Sequence, residues 1–145
     1  MEMIKKIEAV LDVYIKNFKI LHWLACGVDF DKQHNMAAEY YDKLTDDLDA
    51  IAEIGLRVDV KPVSYNEAYE ILNKDHNSFL VLSTEENISF KDFLKYTDIM
   101  FKDLTTLIED VLKSEGPNIG MKSYFENLYN EYDHIRSYLI KRYTL

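Results

Sequence analysis

Two histidines and two acidic residues have side chains and a spacing that suit a metal-binding site. They are His22, His34, Asp49 and Glu53, and successive members lie 12, 15 and 4 residues apart. Imidazole and carboxylate groups together are the usual ligands of a borderline metal such as iron or manganese. Two acids four residues apart are by themselves more typical of a solvated helix face. The prediction of a metal site therefore depends on the combination of these acids with the two histidines.

The composition predicts a single all-α domain over residues 1–145. The chain has 145 residues, the usual size of one domain, and 48% of them are apolar, which is enough for a full core. Glycine occurs 4 times and proline twice, so we expect long helices rather than many turns and short strands. No run of about 18 apolar residues occurs, so no membrane span is expected.

Charge and cysteine content narrow the expected partners and compartment. The formal net charge is −9, which makes the chain a poor partner for nucleic acid, because phosphate contacts need clustered Lys and Arg. Neither end carries a Lys-rich tail that could bind DNA, so a role in protecting DNA is not expected. The single cysteine, Cys26, cannot form an internal disulfide, and the N-terminus has no apolar signal-peptide core. We therefore expect a cytoplasmic protein.

Apolar residues recur at alternating steps of three and four in four segments, which is the pattern of packed helices. Ser89 and Asp92 predict an N-cap for the third helix, and Ser64 with Glu67 predicts a capping box for a short helix through about Asn73. A crossover of about 30 residues joins the second helix to the third, as in a ferritin-like four-helix bundle. The four long helices are expected near 2–26, 31–58, 89–115 and 119–143.

The four candidate ligands do not face the core of their own bundle. At 100° per residue, His22 lies about 70° from the apolar seam of the first helix. On the second helix His34 lies about 60°, Asp49 about 120° and Glu53 about 160° from the seam. A metal site on this stripe needs a second surface to close it, and the simplest one is another subunit related by a twofold axis.

At these residues the chain resembles the Dps family, the miniferritins. The match runs without a gap from His22 to Pro62 and carries the most specific motif of that family. A lone His-Trp pair would carry no weight, whereas a set of positions in register does. The matching positions are His22, Trp23, Gly27, Phe30, His34, Tyr41, Asp49, Ala52, Glu53 and Pro62.

The resemblance implies a hollow cage of twelve subunits with iron sites at its twofold interfaces. It implies that these sites oxidise Fe(II), preferentially with hydrogen peroxide, and that the cage stores ferric mineral. By the same resemblance, His22, His34, Asp49 and Glu53 are the metal ligands. Trp23 is either a core residue or an electron donor beside the iron.

The main departure from the family pattern concerns the ligand set. The family has an aspartate four residues after the second histidine, where this chain has Ala38, which cannot bind a metal. Asp49 and Glu53 of one subunit with His22 of another could still hold one iron. The second iron, near His34, would lose its carboxylate, so the expected ferroxidase activity is weakened.

Smaller departures bear on packing and on iron entry. Ile54 replaces an arginine of the family motif, and Asp59 with Val60 stands where the family has two glycines. Near the start of the last helix, where the family lines a pore with aspartates, this chain has only Glu115.

Two other interpretations stay open. Ala38 favours a cage with one metal per site or none, acting as a scaffold or as a metal sequesterer. The second interpretation is a helical protein that binds other proteins and has no metal site. Burying four ligand-type side chains at an interface without a metal would be costly, however. The one Glu-x-x-His pair, Glu131 with His134, is expected on the surface rather than in a di-iron core.

Overall fold

Four long helices carry the core, and a short helix lies in the crossover between the second and the third. The computed structural model describes residues 2–74 and 78–145. No β-strand occurs in these two ranges, and none of their helices is long and apolar enough to cross a membrane. The helices are α1 Glu2–Trp23, α2 Phe30–Arg57, α3 Tyr65–Lys74, α4 Phe90–Lys113 and α5 Ile119–His134, followed without a break by a π-helical segment, Ile135–Ile140, and by α6 Lys141–Tyr143.

Aromatic rings from all four long helices meet in the centre of the bundle. Phe18 of α1 contacts Tyr40 of α2 and Phe101 of α4, with ring centroids 5.4 and 5.7 Å apart. Tyr132 of α5 packs on Phe101 at 5.3 Å. Such pairs contribute about 0.5–1.5 kcal/mol beyond their buried area. The expected ferritin-like bundle with one long crossover is thereby confirmed, and this core fixes where α1 ends and α2 begins.

Asn17, buried on α1, holds the end of the crossover against the bundle. Its side-chain amide donates to the carbonyl oxygen of Leu80 at 2.8 Å, and its side-chain oxygen accepts from the Leu82 N–H at 3.1 Å. One polar side chain thus satisfies two backbone groups of a segment that has no secondary structure of its own. The crossover residues 75–77 lie outside the described ranges.

The short helix α3 is capped as expected. The Ser64 hydroxyl accepts from the Glu67 N–H at 3.3 Å, and the Glu67 carboxylate accepts in return from the Ser64 backbone, which completes the capping box. The same carboxylate forms an ion pair with Lys5 of α1 at 2.7 Å. This ion pair ties α3 to α1.

α1 ends at Trp23, three residues before the expected end at 26. The chain beyond it pairs with the other end of the crossover: the Ile88 N–H donates to the Leu24 carbonyl at 2.9 Å, and Ala25 forms an isolated parallel bridge with Ile88. Gly27 follows with φ +89°, a conformation that favours glycine. The tertiary contact and the turn therefore stop the helix before its apolar pattern ends.

The last expected helix, 119–143, is interrupted. Its α-helical part ends at His134, and the following residues are π-helical. The start has an N-cap that the sequence analysis did not assign, since the Asn118 side chain accepts from the Met121 N–H at 3.0 Å. The N-cap predicted for α4 is confirmed: the Ser89 hydroxyl accepts from the Asp92 N–H at 3.2 Å.

The turn after α2 explains one departure from the family pattern. Asp59 has φ +62°, in the left-handed region where glycine is favoured and Asp or Asn is tolerated. The turn is tight, since the Val60 N–H donates to the Gly55 carbonyl at 2.8 Å. This chain therefore keeps the conformation that suits a glycine while placing an aspartate there.

Candidate metal centre

The imidazole rings of His22 and His34 stack on each other. Their centroids are 3.6 Å apart and their planes differ by 19°. His22 lies in the last turn of α1 and His34 in the second turn of α2, and both side chains are half-buried. The short connection between two antiparallel helices brings together two residues that are 12 positions apart in the sequence.

Two reciprocal hydrogen bonds orient these rings. His22 Nδ1 lies 2.7 Å from the carbonyl oxygen of His34, and His34 Nδ1 lies 3.0 Å from the carbonyl oxygen of His22. A carbonyl oxygen can only accept, so each Nδ1 donates and each Nε2 of a neutral ring keeps its lone pair. A backbone carbonyl on the remote nitrogen is the usual partner of a metal-binding histidine.

The second nitrogen of each ring is the one available to a metal. With both Nδ1 atoms bonded to backbone carbonyls, a neutral His22 and a neutral His34 can each bind a metal only through Nε2. The stack holds the two rings with their centroids 3.6 Å apart.

The bonds that position the histidines also complete the end of α1. The last carbonyls of a helix have no intrahelical donor. Here the His22 carbonyl receives the His34 side chain, and the Leu21 carbonyl receives the side-chain amide of Gln33 at 3.0 Å. Gln33 is fully buried, so this contact is part of the core. The donor side chains of α2 thus fix α1 and orient the site together.

Two aromatic rings flank the histidine pair, and the sequence analysis gave them no role. Phe30 stacks on His34 with centroids 5.1 Å apart, and the edge of Tyr41 meets His22 at 5.6 Å. Their spacing was the available signal, because Phe30 precedes His34 by four residues and Tyr41 follows it by seven, all on one helix face. One aromatic ring therefore packs against each histidine of the pair.

Asp49 and Glu53 lie far from the histidines of the same chain. Both are exposed on α2, and the 15 residues from His34 to Asp49 span about 22 Å of helix axis. Among residues 2–74 and 78–145, no three His, Cys, Asp or Glu side chains come together to hold a metal. A site that uses all four predicted ligands therefore requires two chains.

Ala38 lies one turn after His34 on α2 and is half-buried. Four residues of α-helix return the chain to within about 40° of the starting direction. The methyl group of Ala38 therefore lies on the same face as the His34 ring and brings no oxygen to it. This is the expected consequence of the departure from the family pattern.

Trp23 is 58% exposed and contacts a basic side chain, Lys16, whose ammonium lies 4.9 Å from the ring centroid. A core role for this residue is therefore wrong for the single chain. A positive charge above the ring makes loss of an electron harder, which weighs against easy oxidation. The role of Trp23 as an electron donor stays a prediction.

A buried acid elsewhere on α2 was not foreseen. Asp47 accepts a hydrogen bond from the Tyr132 hydroxyl at 2.6 Å, and the Lys43 ammonium lies 3.4 Å from the same oxygen. Burial raises the pKa of Asp47, while the bond from Tyr132 and the charge of Lys43 act in the opposite direction. The pKa of Tyr132 is raised by burial first and by the Asp47 charge second. This network joins α2 to α5 inside the bundle and lies apart from the histidine pair.

The Glu-x-x-His pair, Glu131 with His134, lies on the surface, as expected. Glu131 is exposed and forms an ion pair with Lys43 at 2.9 Å. His134 is also exposed and stacks on Tyr138 at 5.1 Å. Neither residue contributes to a ligand set in the bundle core.

Solved structures with the same arrangement of helices place the chain in the ferritin-like fold class, and within it the fold is that of Dps proteins. Dps from Staphylococcus aureus is 18% identical with a TM-score of 0.82, over 98% of this chain and 92% of that one. The DPS protein from Vibrio cholerae O1, described as a member of a broad superfamily of ferritin-like diiron-carboxylate proteins, is 19% identical with a TM-score of 0.84, over 99% and 87%. Helicobacter cinaedi CAIP is 18% identical with a TM-score of 0.73, over 99% and 98%. No family model matches the chain, and no curated protein is significantly similar to it.

Proposed function

We propose that this protein is a Dps-like miniferritin that oxidises Fe(II) at sites shared between two subunits and stores the ferric product. The oriented pair of His22 and His34 carries the proposal, because backbone carbonyls hold both Nδ1 atoms and each neutral ring keeps the Nε2 lone pair for a metal. Asp49 and Glu53 of a second subunit would supply the anionic oxygens that Fe(II) also prefers. The Dps fold supports this reading.

The separation of ligands within one chain supports a shared site. Asp49 lies about 22 Å and Glu53 about 28 Å along α2 from His34, too far for one ion. A twofold axis would bring the acids of each chain to the histidines of the other and create two equivalent sites per interface. Closure of such dimers into a cage, with twelve subunits by resemblance, would enclose space for ferric mineral in a cytoplasmic protein.

Two adjacent iron positions match the electron demand of hydrogen peroxide. Reduction of one H2O2 to two H2O consumes two electrons and two protons, and each Fe(II) gives one electron as it becomes Fe(III). When both electrons are available at one site, the O–O bond is cleaved without release of a hydroxyl radical. Iron storage and peroxide detoxification would therefore proceed together.

A second candidate function follows from Ala38. Without a carboxylate one turn after His34, the second iron position keeps an imidazole but loses an anionic ligand. A cage with one well-bound metal per site would oxidise iron slowly and would act mainly as a metal-binding assembly. The two functions differ in tight metal stoichiometry and in the rate of the peroxide reaction.

The test removes the two acids that a second subunit would supply. The double variant Asp49→Asn/Glu53→Gln should lose tight Fe(II) binding in anaerobic calorimetry, and stopped-flow oxidation by peroxide should slow at least about tenfold, because anionic oxygen ligands are removed. The control Asp110→Asn/Glu126→Gln removes the same charge from exposed positions on α4 and α5 and should behave as the wild type.

The mass in solution decides whether a shared site can exist. Light scattering should give a closed oligomer for the wild type and for both double variants. A stable monomer of 17.1 kDa, or wild-type oxidation rates in the variant without the two acids, would contradict the proposed function.

A further inference from the structure

A cavity lies apart from the candidate metal centre, where the start of α4 meets the C-terminal turns of the chain. It has a volume of about 1210 Å³, and none of the four candidate metal ligands lines it. Its walls are the first turns of α4, the beginning of α2, the π-helical segment and α6. We call it the C-terminal groove.

The C-terminal groove concentrates basic side chains on an acidic protein. Five basic residues and three acidic ones line it, a balance of +2, whereas the whole chain carries −9. An extended positively lined surface of this kind attracts anions into a restricted volume. The basic residues are Lys32, Lys91, Lys95, Arg136 and Lys141.

Part of this charge has no ion-pair partner among residues 2–74 and 78–145. Asp98 accepts a hydrogen bond from Arg136 at 2.9 Å, and Asp29 lies 3.8 Å from Lys32. The third acid, Asp92, belongs to the first turn of α4. The groove lysines that form no ion pair with any residue of the described ranges are Lys91, Lys95 and Lys141.

The π-helical segment places two of the cations on the same face. Residues five apart stand about 140° from each other around an α-helix. In a π-helix, hydrogen bonds run from i to i+5 and residues five apart lie one turn above each other. Arg136 and Lys141 are five apart and both line the groove. A short π-helical stretch inside an α-helix is frequently found at functional sites.

One wall of the groove is aromatic. Phe90 and Tyr143 meet edge to face at 5.6 Å, and the Lys32 ammonium lies 5.5 and 5.4 Å from their ring centroids. This cation is held by the rings, while 46% of Tyr143 stays exposed to a ligand in the groove.

We propose that the C-terminal groove binds a polyphosphate chain, either free or esterified to a nucleoside. Several adjacent unpaired ammonium groups match a row of phosphate charges better than a single anion, and Arg and Lys are the usual phosphate ligands. Residues of the first turn of α4 also line the groove, and the start of a helix favours phosphate. A nucleic-acid strand would run past the groove over a surface of net negative charge, whereas a short polyphosphate would not.

The test uses the whole, metal-free protein in a buffer without divalent cations. Isothermal titrations with inorganic tripolyphosphate and with ATP should each give one saturable site per chain. Orthophosphate, which offers one phosphate group instead of three, should bind roughly 2- to 25-fold more weakly, because each of the two lost charge contacts contributes a factor of roughly 1.4 to 5.

The groove variant Lys91→Gln/Lys95→Gln/Lys141→Gln should weaken tripolyphosphate binding by roughly 3- to 125-fold, the product of three such contact factors. All three side chains are exposed, so the fold is retained. Tyr143→Leu decides the source of the phosphates. If ATP binds more tightly than tripolyphosphate and only ATP is weakened by this change, the ligand is a nucleotide. If ATP and tripolyphosphate bind equally tightly and Tyr143→Leu weakens neither, the ligand is free polyphosphate.

The control variant Lys61→Gln/Lys113→Gln/Lys122→Gln changes the net charge equally at exposed positions outside the groove. It should alter tripolyphosphate affinity by less than about twofold, since distant exposed charges are screened. Equal weakening by both triple variants would overturn the proposal, because net charge alone would then explain the binding. The proposal would also be overturned if no saturable binding were seen, or if a short single-stranded oligonucleotide bound more tightly than tripolyphosphate.

Discussion

Replacing Ala38 with aspartate should complete the second metal position beside His34. The new side chain would project from α2 one turn beyond the ring, about 6 Å along the axis and about 40° around it. That places a carboxylate on the same face of α2 as the His34 ring. Tight Fe(II) stoichiometry should rise from about one toward two per site, because the second imidazole gains an anionic partner.

The size of the effect follows from two opposing contributions. Aspartate is less favourable than alanine in a helix interior by about 0.7 kcal/mol, so the metal-free variant should be less stable than the wild type. A metal at 100 times its dissociation constant stabilises the folded state by about 2.7 kcal/mol, which more than offsets this loss. The second metal should bind at least about tenfold more tightly than in the wild type, a gain of about 1.4 kcal/mol.

Three measurements follow the same variant. Anaerobic calorimetry with Fe(II) gives the stoichiometry, stopped-flow absorbance gives the rate of ferric product formation with peroxide, and thermal unfolding with and without metal gives the stability. Asn127→Asp adds the same charge at an exposed position on α5 and serves as the control. It should leave stoichiometry and rate unchanged.

The result that would refute this reasoning is an Ala38→Asp protein with wild-type stoichiometry and rate that still folds and assembles. The position beside His34 would then not be part of a metal site, and the stacked histidine rings would need another explanation. A faster rate in both Ala38→Asp and Asn127→Asp would assign the gain to cation attraction by net charge.

Three further predictions concern pH and stability. Fe(II) affinity should fall as the pH is lowered below about 6, because histidine must be neutral to bind a metal, and calorimetry at pH 8 and pH 5 that gave equal affinities would exclude imidazole ligands. Glu8 is buried with an unpartnered Oε2, and burial raises its pKa above the ordinary 4.5. The native state then holds its proton more tightly than the unfolded chain, so stability falls as the pH rises above 4.5, and Glu8→Gln should stabilise the protein by about 1 kcal/mol at pH 7 in urea unfolding but not at pH 4. Asn17→Ala should cost about 2–3 kcal/mol in the same assay, because two backbone groups of the crossover lose their hydrogen bonds, and an unchanged urea midpoint would show that the crossover is held by its apolar contacts alone.

The long helices could be predicted because their apolar spacing reflects burial directly. The ends of these helices could not be predicted where a contact between residues distant in sequence determines them. α1 stops at Trp23 because the chain beyond it pairs with Ile88, more than sixty residues away. The π-helical segment keeps an apolar pattern close to that of an α-helix, so periodicity does not reveal it. The sequence analysis assigned no role to Asp47, because its burial and its contact with Tyr132 depend on the packing of α5 against α2.

The residues of the candidate site could be selected from the sequence, but the contacts that position their side chains could not be predicted. Spacing and residue type selected His22 and His34, and helical angles placed Asp49 and Glu53 away from the core of their own bundle. The ring stack and the two reciprocal hydrogen bonds depend on the exact approach of α1 and α2, which the sequence does not encode locally. The meeting of the histidines with the acids of another chain stays a prediction, since it depends on an interface between subunits.

Mixing two inactive variants tests the shared iron site most directly. One variant, His22→Ala/His34→Ala, keeps the acids, and the other, Asp49→Asn/Glu53→Gln, keeps the histidines. When equal amounts are co-assembled at random, half of the twofold pairs are mixed, and one of the two sites in each mixed pair is intact. Peroxide-dependent Fe(II) oxidation should therefore recover to about one quarter of the wild-type rate, while each variant alone stays inactive. Co-assembled oligomers of wild-type mass with no recovery would contradict a site built from two subunits.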